Sequence, residues 1–201
     1  YITDERGVMQ LAVNDMAVCN EISPEYLEGV LPGIQAGALV LDANLSVESL
    51  EFICRSSCIP LYADPVSSVK AMKLHGVMKH LRAIKPNAIE AAALTGQSDP
   101  ELAARALIDA GVQRVFISLG TNGMIAAEGS RILRMPSPEA NVVNATGAGD
   151  AAMSAIVWAD LHGLSLEDSA RAAQLAGAIT CASEESNAPE LSRLPGLLAA
   201  E

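Results

Sequence analysis

Aromatic residues are scarce: one Trp, two Phe and three Tyr make up 3% of a 201-residue chain that is 50% hydrophobic. A core with so few rings must be aliphatic and rich in alanine, which suits helices packed closely on a sheet. Basic residues are also few. Thirteen Lys and Arg stand against 24 Asp and Glu, giving a net charge of −11. That balance argues against sequence-independent nucleic-acid binding and against adhesion to an anionic membrane. It does not exclude a nucleotide, because backbone amides and a divalent ion can hold phosphates. No apolar run approaches the roughly 20 residues of a membrane helix, and no basic-then-apolar leader opens the chain. The four cysteines, Cys19, Cys54, Cys58 and Cys181, include no C-x-x-C pair. Reduced thiols and a cytoplasmic location are the expectation. His75, His80 and His162 form no zinc pattern, and G-x-x-x-x-G-K-[ST] is absent, which excludes a P-loop. The chain begins at Tyr1-Ile2-Thr3, without Met, and reads there like the middle of a strand. It is expected to be a fragment.

What is present centres on Asn144-Ala145-Thr146-Gly147-Ala148-Gly149-Asp150, which runs into a stretch of small and apolar residues. Glycines at 147 and 149 permit a tight turn with bare N–H groups at the positive end of a helix, an anion site. Asp150 falls inside it, where a carboxylate could accept a hydroxyl proton while the amides hold a transferring phosphoryl group. An ordinary capped helix with Asp in its first turn explains the same residues. The G-x-G-x-x-A spacing also fits a dinucleotide fingerprint, but a second helix follows with no strand between, so that reading is rejected.

Earlier in the chain, Tyr1–Thr3 and Val8–Val13 read as a β-hairpin, and Ser23-Pro24 starts a helix that Gly33 stops. Strands at Ala38–Leu41 and Ile59–Ala63 alternate with helices from about Ser46 to Arg55 and Ser68 to Leu81. This argues for a parallel sheet covered on both faces. Asp42, Asn44 and Asp64 sit at strand ends, where caps and turns also place such residues. Ala83–Lys85 reads as a strand leading to Pro86-Asn87-Ala88-Ile89-Glu90. Asn87 and Glu90 satisfy a capping box without any ligand; the functional alternative is that they orient a hydrated Mg²⁺. Asp99-Pro100 begins a helix that Gly111 closes. Val115–Ser118 is a strand, and Asn122-Gly123 a hairpin signal returning through Met124–Ala127 to an edge strand at Arg131–Met135. Gly120 and Gly123 could let a nucleotide approach the backbone. Small residues at 172, 173, 176, 177 and 178 suit close helix packing or the flat face of adenine, and Trp158 reads as core.

Three segments in order carry a resemblance: Lys85-Pro86-Asn87-Ala88-Ile89-Glu90, Ser118-Leu119-Gly120-Thr121-Asn122-Gly123 and Asn144 through Asp150. Together they resemble the ribokinase-like, pfkB-type carbohydrate kinases, which transfer the γ-phosphate of ATP to a sugar or nucleoside hydroxyl. The resemblance implies an α/β fold, a ribokinase-like Rossmann-type sandwich with a mostly parallel sheet and a small β lid. Residues 1–16 would be a lid remnant and 17–201 the nucleotide-binding core of one domain. It further implies Asp150 as catalytic base with Gly147, Ala148 and Gly149 as anion hole. Lys85, Asn87, Ser118, Gly120, Gly123, Thr146 and Gln174 would meet the cofactor ATP, and Asn87 and Glu90 the Mg²⁺. The family's last motif usually opens Asp-Thr where this chain has Asn144-Ala145, so K⁺ stays an open cofactor. The family's first strand, Gly-Gly substrate loop and much of its lid are not matched, so the substrate pocket is expected to be incomplete. Ala12-Val13-Asn14-Asp15-Met16, Asp42-Ala43-Asn44, Asp64-Pro65-Val66-Ser67 and the loop Cys181–Ser192 resemble the branch that phosphorylates pseudouridine at its 5′-hydroxyl. Asn14 and Asp15 would then contact that substrate, although a strand-ending turn explains them as well. Ribose, another sugar or another nucleoside are the alternative substrates, and a non-catalytic interaction module the alternative of another class. The expected partners are small molecules, with no nucleic acid and no membrane, and a homodimer through the lid.

Overall fold

The structure is a computed structural model that describes residues 2–3, 9–11 and 15–199, with side chains described from 15 to 198. Strands β1 (Ile2–Thr3) and β2 (Met9–Leu11) pair antiparallel, with Ile2 opposite Leu11, as the hairpin pattern predicts. After a 3-10 turn the chain forms α1 (Pro24–Val30), whose first turn is capped by Ser23 Oγ accepting from Tyr26 N. Then follow β3 (Leu39–Asp42), α2 (Val47–Ser56), β4 (Leu61–Asp64), α3 (Ser68–Ala71), β5 (Leu81–Ile84) and α4 (Ala88–Thr95). The rest is α5 (Pro100–Asp109), β6 (Arg114–Ser118), β7 (Met124–Glu128), β8 (Arg131–Met135), α6 (Ala148–Leu161), α7 (Leu166–Cys181) and α8 (Leu194–Ala199). No helix of the described residues is long and apolar enough to cross a membrane.

Strands β3 to β8 form one six-stranded sheet in sequence order. The first four run parallel, β7 pairs antiparallel with β6, and β8 pairs antiparallel with β7. Side chains alternate between faces as strand geometry requires. Leu61, Ala63, Val115, Ile117, Ile125 and Ala127 turn to one face, where they meet Leu50 and Ile53 of α2, Leu94 of α4 and Leu107 of α5. Tyr62, Ala83, Phe116, Met124 and Ala126 turn to the other and meet Ala152, Met153 and Ile156 of α6 and Ala173 of α7. Between α6 and α7 the contact is alanine on alanine: Ala151, Ala155 and Ala159 against Ala172 and Ala176. The aliphatic core read from the composition, and the mostly parallel, helix-covered sheet read from the alternation of strands and helices, are therefore what form. Trp158 is a partly buried neighbour of this helix pair, its ring 4.5 Å from that of His162.

Four polar side chains tie the far end of α6 to the sheet. Asp160 accepts from the Tyr62 hydroxyl at 2.5 Å and from Arg82 Nε and Nη2 at 2.8 and 2.6 Å. Arg114 Nη1 adds a contact at 3.0 Å. Burial would raise the Asp160 pKa, but the hydrogen bonds from Arg82 and Tyr62 and the two guanidinium charges outweigh it and hold the carboxyl below its ordinary range.

Two local expectations are corrected. The stretch from Ser68 to Leu81 is α-helical only to Ala71; Met72–His80 is 3-10 helical, and Leu81 already begins β5. Leu81 is fully buried and pairs with Leu61 across the sheet, so the ladder overrides the helical periodicity. Nor is Asn122-Gly123 a two-residue hairpin. Gly120–Asn122 forms a 3-10 turn, closed by Leu119 N donating to Gly123 O at 2.8 Å. Gly123, at φ +94°, lies so close to the Met135 carbonyl that a Cβ would overlap it.

Candidate active site

Helices α1, α2, α4, α5 and α7 each begin with a side-chain oxygen bonded to a first-turn amide. Helix α6 does not. Its N-cap is Gly147, at φ +86°, and no side chain caps it. A left-handed N-cap requires glycine here for a second reason, since a Cβ would overlap the Ser186 carbonyl of the loop after α7. The preceding turn is tied to that same loop. Val143 N and Asn144 N donate to Cys181 O at 2.8 and 3.1 Å, and Asn144 Nδ2 donates to Glu184 O at 3.2 Å. Asn144 Oδ1 accepts from Thr146 N at 2.9 Å, the Asx turn that sets the chain up for Gly147. Thr146 is exposed and engaged there by its backbone. Ala148 N donates to Ala145 O at 3.4 Å, while among the described residues the Gly149 and Asp150 amides make no hydrogen bond and stand open at the positive helix end.

Beside them lies a cavity of about 1000 Å³. Its walls bring together Lys85, Ser118, Gly120 and Gly123 with Ala148 and Gly149 of α6 and Ala173, Gln174, Gly177 and Ala178 of α7. The small-residue stripe of α7 divides its work accordingly: Ala172 and Ala176 pack on α6, while Ala173, Gly177 and Ala178 face the cavity. Gly177 also approaches α6 closely, its Cβ position lying 3.6 Å from Ala148 O. Gln174 Nε2 donates to Pro136 O at 2.8 Å, fixing its amide at the cavity wall. The smooth apolar slot beside α7 suits a planar ring, and the open amides suit the anion attached to it.

Lys85 supplies the positive charge. It is only 5% exposed, and its Nζ lies 3.0 Å from Asp64 Oδ2 and 3.6 Å from the place a Cβ on Gly149 would occupy. A buried ammonium needs a partner; Asp64 is that partner, and the cavity side of Lys85 remains available to an anion. The sequence places Asp64 at a strand end, where a ligand site and a simple turn are both open readings, and nothing local to it signals the pairing with Lys85. Sequence reasoning also missed the strap Ser137–Val142, Ala145 and Cys181, which line the cavity.

Asn87 and Glu90 form the capping box, each side chain accepting from the other's N–H at 2.9 Å. The local reading of that motif is therefore satisfied without a ligand. Asn87 also faces a second cavity of about 380 Å³ that shares Ser118 and Gly120 with the first. Glu90 is 6% exposed, and burial pushes its carboxyl above the ordinary range; the Asn87 N–H opposes this, the Asp64 charge adds to it and Lys85 opposes it. Among the described residues no three His, Cys, Asp or Glu side chains gather as a metal cage.

Asp150 is the third residue of α6 and exposed. It is absent from the cavity wall that Ala148, Gly149 and Ala152 build. One residue turns a helix by about 100°, which sets Asp150 off the wall that its neighbour Gly149 helps to build. Asp15 lies away from both cavities, its Oδ1 accepting from Ala17 N at 2.9 Å, the turn role allowed for it. Asn14 is outside the described residues.

The sequence matches the pfkB family of carbohydrate kinases over residues 12–193. Over 95% of its length it is 33% identical to the pseudouridine kinase of Escherichia coli (strain K12), of which it covers 64%. A carbohydrate kinase from Agrobacterium tumefaciens superposes with a TM-score of 0.79 at 28% identity, over 96% of this chain and 65% of that one. Ribokinase from Thermotoga maritima gives 0.79 at 21% identity, over 90% and 62%, a likeness of fold. The chain spans about two thirds of the length of each.

Proposed function

The chain belongs to the pfkB family of carbohydrate kinases, and from that premise we propose that it serves ATP-dependent phosphorylation of a nucleoside or sugar hydroxyl. One observation carries the proposal. The uncapped, glycine-led start of α6 brings open amides together with a buried lysine, 3.6 Å from the Cβ position of Gly149, and with an exposed aspartate, Asp150, in the same first turn. In this reading ATP supplies the phosphoryl group and Mg²⁺ screens its charge. Asp150 accepts the proton of the acceptor hydroxyl as its oxygen bonds to phosphorus. The amides of the Gly147–Gly149 turn and the Lys85 ammonium hold the negative charge that builds up as the bridging oxygen departs. Ser118, Gly120 and Gly123 border the nucleotide, Thr146 shapes the turn, and Ala173, Gln174 and Gly177 flank the base. With their caps engaged, Asn87 and Glu90 fit a hydrated Mg²⁺ reached through water better than an ion they coordinate directly. Asn144 is neutral and its amide is spent on Thr146 and Glu184, so no K⁺ enters the proposal. Four unpaired thiols support a cytoplasmic setting.

The substrate we propose is pseudouridine, at its 5′-hydroxyl, with Asn14 and Asp15 on the acceptor side. The likeness to the Escherichia coli pseudouridine kinase supports it. The test compares kcat/KM for pseudouridine, uridine, adenosine, ribose and fructose. A tenfold preference for ribose or fructose removes the substrate assignment and leaves the kinase. Failure to bind Mg-ATP in a calorimeter removes the kinase in favour of a non-catalytic interaction module.

A further inference from the structure

Val66 is the only non-glycine residue among those described with a positive φ, at +65°. For a β-branched side chain that is a genuine outlier. Ser67 N donates to Pro65 O at 2.7 Å, so the three residues close a γ-turn with Val66 at its centre in the rare, strained hand. Val66 is 40% exposed, so burial of its side chain does not offset the strain. What the turn achieves lies one residue earlier. Val66 N donates to Asp64 Oδ1 at 2.8 Å, while Asp64 Oδ2 meets Lys85 Nζ at 3.0 Å. Each oxygen of that carboxylate is engaged, one by the strained backbone and one by the cavity lysine.

We infer that the Pro65-Val66-Ser67 turn is a positioning element that locks Asp64 and, through it, aims the Lys85 ammonium at the open amides beside Gly149. The inference rests on the nucleotide reading of the cavity. Asp64 and Lys85 stand at the carboxyl ends of the adjacent parallel strands β4 and β5, where ligands of such sheets bind. A lysine has a flexible four-carbon stem, and anchoring one of its N–H donors to a fixed carboxylate reduces the freedom lost when the others take an anion. Strain concentrates where geometry has to be held for function. Without the Val66 N–H the Asp64 carboxylate would be held by Lys85 alone, and the two side chains could shift together.

The test is a double-mutant cycle on Mg-tripolyphosphate binding, with adenosine as a second probe. Val66→Pro removes the N–H and forces φ negative. It should weaken tripolyphosphate binding about tenfold in the parent but less than twofold once Lys85→Met is present, since both changes remove one device. Val66→Gly, which keeps the N–H and accepts the positive φ, should restore parental affinity. If circular dichroism shows that Val66→Pro does not fold, Asp64→Asn replaces it in the same cycle with the same expectation. Equal losses in the two lysine backgrounds, no loss at all, or a Val66→Gly variant as weak as Val66→Pro would overturn the inference. So would an unmodified chain that does not bind tripolyphosphate. If adenosine fails to bind while the cycle holds, the nucleotide reading falls and the positioning stands.

Discussion

Asp160 receives Arg82 in a two-point fork, Nε to one carboxylate oxygen at 2.8 Å and Nη2 to the other at 2.6 Å, which pins α6 to β5. The α6–α7 contact is made of alanines, and such surfaces interdigitate little, so this fork resists sliding of the helix that carries Asp150.

Asp160→Asn should therefore lower stability by about 3 kcal/mol, at the low end for a broken buried pair because Arg82 is partly solvated. The depressed folded pKa fixes the pH window. The contribution is complete above the unfolded value of about 3.9 and disappears as the pH falls through the lower folded value. Urea unfolding of parent and variant from pH 3 to 7 reads it: the gap should close toward acid, and a gap independent of pH contradicts the assignment.

Asp150→Asn should cut turnover by about 10²–10⁴, the range for loss of a general base. Nucleotide affinity should stay within about twofold, since the carboxylate stands off the cavity wall. A coupled kinase assay with calorimetry of Mg-ATP checks both halves, and near-normal turnover sinks the base role.

Gly147→Ala should cost about 1–3 kcal/mol and weaken phosphate binding more than adenosine binding, because the new methyl meets the Ser186 carbonyl. Gly163→Ala is the control: its φ of +71° is similarly strained, but no atom lies within 4 Å of the added carbon. It should shift the melting temperature alone. Equal phosphate defects in the two variants would show that strain, not the shape of the turn, was responsible.

Glu90→Gln keeps an acceptor for Asn87 N and removes the charge. The parent's folded pKa is raised by burial, so the native state holds this proton more tightly than the unfolded chain does. Parent stability then falls as the pH rises from about 4.3 through the folded value. The variant should lack that slope, while its Mg²⁺ affinity in the presence of ATP falls about 10–100-fold. An unchanged magnesium requirement would reduce Glu90 to its capping role.

What could be read from the sequence was what is decided within a few residues. Ser23, Asn87, Asp99 and Ser165 announce helix starts because each bonds an amide two or three positions on. The alternation in β6 and β7 announces two buried faces. Gly147 was legible as a turn, but the Ser186 carbonyl that demands glycine there was not. Asp64 shows the limit most clearly: one oxygen serves a turn that composition signals, and the other a lysine on the next strand. Arg82 and Asp160 are 78 positions apart, and only the finished sheet brings them together. The strap Ser137–Val142 helps to shape the cavity and carries no residue pattern that would disclose it.

The ring contact of Trp158 with His162 has an optical consequence. The chain has a single tryptophan, and it rides on α6, the helix that bears Asp150 at its other end. Emission excited selectively at the indole, apart from the three tyrosines, therefore comes from one known place, and its wavelength and yield follow the indole's distance from the imidazole and from water. A ligand that draws in the first turn of α6, or a substitution that frees Asp160, should be visible as a spectral change without any attached dye.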